Sequence, residues 1–151
     1  MIKERFISYV EDSIRKNWEK EALSNYREKG YTYREIAAIM VKQHMAFREY
    51  GIREGDTIAL LGRNSANWCA TYLAVVTYGA VVVPILPDFK PDDLHNIINH
   101  SDSKILFADD KLWESLEPEK VKDLQCVMSL DSFEMLLSRS GKTTQIYKSL
   151  D

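Results

Sequence analysis

A chain of 151 residues, 45% apolar and 28% charged, can close one hydrophobic core without metal or disulfide, burying roughly 70% of the surface its unfolded form exposes. A formal charge of −3, with Lys and Arg scattered among Asp and Glu, excludes the basic stripe of a nucleic-acid surface. There is no apolar run of about 20 residues to span a bilayer and no apolar leader, and the two well-separated cysteines, Cys69 and Cys126, read as buried free thiols in a reducing cytoplasm.

From Ile2 to about Trp18, the apolar residues Ile2, Phe6, Val10, Ile14 and Trp18 recur every fourth position, which predicts an amphipathic helix. A membrane-surface helix would carry the same stripe, but the polar face here mixes acids with bases, so a packing helix is expected. Glu21 to Tyr26 and Tyr31 to Tyr33 flank a polar link ending in Gly30, the pattern of a short hairpin. Thr32 stands three residues before Glu35, the spacing of a capping box. The helix that follows carries Ile36, Ile39, Met40, Phe47 and Tyr50 on one side and ends at Gly51, where glycine suits a left-handed C-terminal cap.

The centre of the chain is the stretch between Asp56 and Asp88. Thr57 to Leu61 and Ala80 to Leu86 are branched-rich and do not alternate with polar residues, as expected of strands buried on both faces of a parallel sheet. Between them Ala66 to Tyr78 is too apolar all round for a surface helix. Together they predict a right-handed β-α-β unit. Pro91 with Asp92 and Asp93 opens a helix to about His100, where the helix dipole favours acids. Lys104 to Ala108 and Gln125 to Leu130 read as further strands, with one or two short helices broken by Pro118 between them. Asp131 and Glu134 repeat the capping-box spacing and predict a last short helix. From Arg139 onward no apolar period survives, so residues 139–151 are expected to form a loose tail beyond a folded unit of residues 1–138. The fold class is α/β, an open and mostly parallel sheet with flanking helices, preceded by a helix and a short hairpin.

Catalytic motifs are absent. Ser140 to Thr143 mimics the end of a Walker loop, but Leu136 stands where its first glycine is required. His95 and His100 are five apart, which on a helix separates them by about 140°, so no metal site is expected. Asp109 and Asp110, as adjacent side chains at a strand end, should diverge into solvent. Gly62-Arg63-Asn64-Ser65 lacks the glycine spacing of a dinucleotide loop. What remains is position: ligands of open α/β sheets gather outside the carboxyl ends of the strands. Arg63, Asn64, Asp88 and Asp109 are the cleft candidates, and the bland alternative is that Asn64 or Ser65 caps the next helix.

These features in this order resemble a known family. Ala22-Leu23 with Tyr31 to Ile36, Gly55-Asp56-Thr57-Ile58-Ala59-Leu60, Asn64-Ser65-Ala66-Asn67-Trp68, Tyr78-Gly79-Ala80 to Ile85, and Asn99-His100-Ser101 with Lys104 to Phe107 are similar to successive motifs near the N-terminus of AMP-forming acyl-CoA synthetases. This is the adenylating superfamily of luciferases and peptide-synthetase adenylation domains, and the long-chain fatty-acid CoA ligases look closest. Asn67 stands where an acid is common in that family, and Leu86 to Lys90 departs from its hydroxyl-rich loop.

The resemblance implies a parent enzyme that uses Mg-ATP to make an acyl-adenylate and passes the acyl group to coenzyme A. Its phosphate loop, adenine and ribose motifs and C-terminal lysine have no counterpart here. No catalytic residue, metal ligand or cofactor of this chain is therefore expected, and the chain alone is expected to be inactive. The implied partner is the remainder of the adenylating enzyme, with self-association through an exposed apolar face as a consequence. The alternative is a free-standing α/β small-ligand or interaction module.

Overall fold

The computed structural model describes residues 5–139. Its elements in chain order are α1 (Phe6–Lys16), β1 (Glu21–Leu23), β2 (Tyr31–Thr32), α2 (Tyr33–Glu49), β3 (Thr57–Leu61), α3 (Ala66–Tyr78), β4 (Val81–Ile85), α4 (Pro91–His100), β5 (Ile105–Ala108), α5 (Asp110–Glu114), β6 (Cys126–Ser129) and β7 (Met135–Ser138), with a 3-10 turn at Pro118–Lys120. β1 and β2 form an antiparallel hairpin, and the main sheet runs β4-β3-β5-β6-β7. Its first four strands are parallel and β7 is antiparallel. The α/β reading therefore holds, and no described helix is long and apolar enough to cross a membrane.

Successive strand residues point to opposite faces, and here both faces are covered. Ile58 and Leu60 of β3, Ile105 and Phe107 of β5 and Met128 of β6 pack beneath α2 and α3. Ala59, Leu61, Leu106, Ala108 and Val127 pack beneath α4 and the segment containing Leu116, Val121 and Leu124. That double burial is why the sequence of β3 reads as an unbroken apolar run. Phe47 of α2 is fully buried and meets Phe107 edge-on at 6.1 Å and Tyr78 at 5.3 Å. Between the helices, buried Gln43 donates to Thr71 Oγ1 at 3.1 Å, and His44 Nε2 donates to the Ala74 carbonyl at 2.8 Å.

The start of α2 is fully capped. Thr32 Oγ1 accepts from the Glu35 amide at 3.2 Å while Glu35 returns a carboxylate oxygen to the Thr32 amide at 2.7 Å. The Tyr33 and Arg34 amides donate to the carbonyls of Lys20 and Trp18, so the segment after α1 completes the cap that the box begins. At the other end Gly51 takes φ +70°, as a C-terminal cap requires.

Four expectations need correction. β4 is an edge strand, with Val81 49% exposed and Pro84 also exposed, so it is not buried on both faces. The Val81 amide donates inward to the Asp56 carbonyl. By alternation Pro84 aims its missing N–H at the free edge, the one place in a sheet where proline costs no ladder bond.

The helix expected after Asp131 is strand β7. Ser129 Oγ accepts the amides of Asp131 and Ser132, Phe133 takes φ +59°, and the Ser129 amide donates to the Glu134 carbonyl. These bonds close a hairpin that covers the otherwise bare edge of β6. A run as short as Met135–Ser138 cannot repay helix nucleation, whereas a partner strand satisfies it at once.

Cys69 is only half-buried, whereas Cys126 is buried as expected and burial pushes its thiol pKa up to about 12. The stripe of α1 is the fourth correction. The helix has no buried residue, and Phe6 is 61% and Trp18 43% exposed, although Ile14 does pack against the core. Ile2 lies outside the described residues, as do the Walker-like Ser140 to Thr143 and all of the tail except Arg139. Arg139 is tied down, its amide donating to the Gln125 carbonyl and its guanidinium to those of Val121 and Leu124.

Candidate functional site

The chain enters the sheet at β3 and adds β4 on one side, then crosses back to place β5 on the other. Right-handed crossovers then force α3 and α4 onto opposite faces, where the two core clusters find them. The loops leaving β3 and β4 therefore part company, the arrangement that opens a crevice at the carboxyl ends of parallel strands. A cleft of about 300 Å³ lies there, lined by Gly62, Arg63 and Asn64 after β3, by Pro84 to Pro87 around the end of β4, and by Trp68.

Of the four positional candidates, Arg63 and Asn64 line this cleft. Asp109 sits on the β5 side of the same loop, its Oδ2 accepting from the Arg63 amide at 3.0 Å. Asp88 is exposed and lies outside the cleft lining. Gly62 is what lets these groups meet. A Cβ on it would lie 2.6 Å from Leu130 Cδ1 and 2.7 Å from Asp109 Oδ1, so any side chain would expel the carboxylate.

Asp109 and Asp110 do not diverge into solvent. Both are partly buried, and the Asp110 amide, the first of α5, donates to Asp131 Oδ2 at 2.8 Å. Burial raises the Asp109 carboxyl above the ordinary range, Asp131 and Asp110 add repulsion, and the bond from the Arg63 amide partly opposes both.

The helix start beside the cleft is no anion cradle. Ser65 Oγ accepts from the Trp68 amide at 3.0 Å, and Asn25 Oδ1 from the Ala66 amide at 2.9 Å. Ser65, not Asn64, is thus the cap. Two of the amides that would otherwise attract a phosphate are already used. Sequence reasoning missed Asn25, since nothing local marks a residue that acts 41 positions away. It also missed the part played by Asn67. That side chain accepts from the Tyr31 hydroxyl at 2.8 Å and donates to the Leu130 carbonyl at 2.7 Å, joining hairpin, α3 and the end of β6. An acid at that position could accept the first bond but not donate the second.

Asp92, His95 and Glu117 bring potential ligand atoms within 4.8 Å of one another, yet their chemistry opposes a metal. His95 Nε2 accepts the Glu117 amide at 2.9 Å, so in the neutral ring the proton is on Nδ1, facing Asp92 at 3.6 Å. Lys120 already bridges the two carboxylates, 3.3 Å from Asp92 and in contact with Glu117. His100 is exposed and is not one of the three.

Comparison with known proteins completes the picture. The sequence is 32% identical over 91 residues to 4-hydroxybutyrate--CoA ligase 2 of Metallosphaera sedula, covering 60% of this chain and 17% of that protein. It is 28% identical over 101 residues to long chain acyl-CoA synthetase 3 of Arabidopsis thaliana, covering 65% and 15%. The chain thus spans about a sixth of the length of these curated relatives. Its fold matches the crystal structure of coronafacic acid ligase from Pectobacterium brasiliense with a TM-score of 0.76 at 20% identity, over 91% of this chain and 27% of that one. The sequence model of the AMP-binding enzyme family matches residues 10–149, and the chain belongs to that family.

Proposed function

We propose that residues 1–138 are the N-terminal subdomain of an AMP-forming acyl-CoA ligase. The complete enzyme joins a carboxylate to Mg-ATP as an acyl-adenylate and passes the acyl group to the thiol of coenzyme A. The observation that carries this reading is the parallel β3-α3-β4-α4-β5 core with its cleft at the carboxyl ends, through which the AMP-binding family match runs unbroken. The subdomain supplies one wall of the acyl or coenzyme A entrance, with Arg63 and Asn64 on it and Asp88 and Asp109 flanking. Phosphate-binding and lid residues come from the rest of the enzyme, in the cytoplasm. The acyl class we assign is a long-chain fatty acid, supported by the Arabidopsis relative.

ATP–pyrophosphate exchange over a panel of carboxylic acids tests this, with long-chain fatty acids and 4-hydroxybutyrate both included. The 151-residue chain alone is expected to stay at background, and exchange is expected to appear when it is joined to the remaining subdomains, fastest with the fatty acids. Clear exchange by the chain alone overturns its assignment as one part of the enzyme.

The free edge of β4 supports a docking role, since Val81, Leu86 (67% exposed) and Phe89 (44%) leave apolar surface in water there. Sedimentation at rising concentration is expected to show self-association. A monomer throughout favours the free-standing module instead.

A further inference from the structure

A cavity of about 370 Å³ lies where α1 and the hairpin meet α2 and α3, walled by Val10, Ile14, Leu23, Ile36, Trp68 and Tyr72 among others. Ligand pockets begin near roughly 300 Å³, and this one opens to solvent with a volume in that range. No lining side chain carries a charge. A concave, mostly apolar lining of this kind suits a small apolar molecule.

The wall contributed by α1 differs from the others. The remaining walls belong to elements tied into the sheet or to one another, whereas α1 has no buried residue. It meets the core through Ile14, and beyond its C-terminus the Trp18 and Lys20 carbonyls accept the first amides of α2 at 3.0 and 2.9 Å. At its other end Phe6 projects into solvent. Aromatic surface dominates the far side, where Trp68 and Tyr72 stack at 5.5 Å with 21° between their planes.

We propose that the cavity between α1, the hairpin, α2 and α3 takes a compact, neutral aromatic molecule. Aromaticity follows from the rings that line the space, which favour offset or edge-on ring contacts. Neutrality follows from the absence of any charged partner, since a carboxylate carried in would be stripped of water without compensation. Trp68 is a wall shared with the strand-end cleft, but the proposal does not depend on the proposed ligase role.

Cys69 lines both this cavity and a neighbouring surface groove and is half-buried, while Cys126 is 0% exposed, so maleimide labelling of the 151-residue chain followed by mass spectrometry follows one residue, and a variant with the cavity filled assigns any protection to the cavity. Saturating indole is expected to slow Cys69 labelling at least fivefold, and indole-3-carboxylate to leave it unchanged. Filling the cavity with Ala22→Trp is expected to slow labelling without indole and to abolish any further slowing by it. If that variant does not fold, Ser13→Trp fills the space from the α1 side. An unchanged rate with indole overturns the proposal, as does equal protection of the filled variant or equal protection by the carboxylate.

Discussion

The sheet core and the N-terminal layer are built on different terms. In the core, β3, β5 and β6 bury every apolar side chain on both faces, and Phe47 closes one face by ring contacts to two elements. In the N-terminal layer, α1 has no fully buried residue and meets the core through Ile14, while the segment after it is hydrogen-bonded to the start of α2. Apolar area removed from water stabilises in proportion to its extent, so the sheet core contributes far more of the fold's stability than α1 does. The contrast teaches that a regular apolar stripe reports a helix, not the depth at which the helix will sit.

The sharpest way to break that comparison is to truncate one large side chain in each region. Phe47→Ala should cost about 3–5 kcal/mol, whereas Phe6→Ala should stay within about 0.5 kcal/mol of wild type, both read from urea unfolding midpoints. Equal losses would mean that α1 is part of the core.

Gly62→Ala comes next, because it forces a methyl into Leu130 and the Asp109 carboxylate. The expected loss is about 1–3 kcal/mol by overpacking. A neutral result in the same unfolding assay would show that the β3 loop can yield. Thr32→Ala removes the side-chain half of the cap that links the two regions, for about 1 kcal/mol. Hydrogen exchange should speed up in the first turn of α2 and leave β5 unchanged.

A small and pH-dependent effect is expected at Asp109. Its folded-state carboxyl is raised, so its contribution to stability is full below the unfolded carboxylate range and is lost as pH rises through the raised value. Asp109→Asn keeps an acceptor for the Arg63 amide and removes the charge. It should stabilise the protein at pH 7 by less than about 1 kcal/mol once solvent screening is counted, and by nothing below the carboxylate range. A benefit that persists in acid would assign the effect to packing instead.

Periodicity and local capping signals located most elements closely. The Thr32–Glu35 box, the apolar run of β3, the span of α3 and the proline start of α4 were all legible because each depends on residues within a turn or two of one another. The cleft was legible only as a position, through the rule that ligands collect where parallel strands end. Its actual members depend on Gly62 allowing Asp109 to approach from 46 residues away. The Asp131–Glu134 pattern misled because the same short polar residues that cap helices also close turns, and only the bare edge of β6 decided between them.

By itself, then, the sequence determined the α/β class, the family and the order of the strands along the chain, since these rest on hydrophobic period and local motif. Tertiary structure alone decided that β4 is an edge, that β7 is a strand and that α1 roofs a cavity. Each of those outcomes depends on which neighbour arrives to cover a surface, and no local window of residues encodes its neighbour.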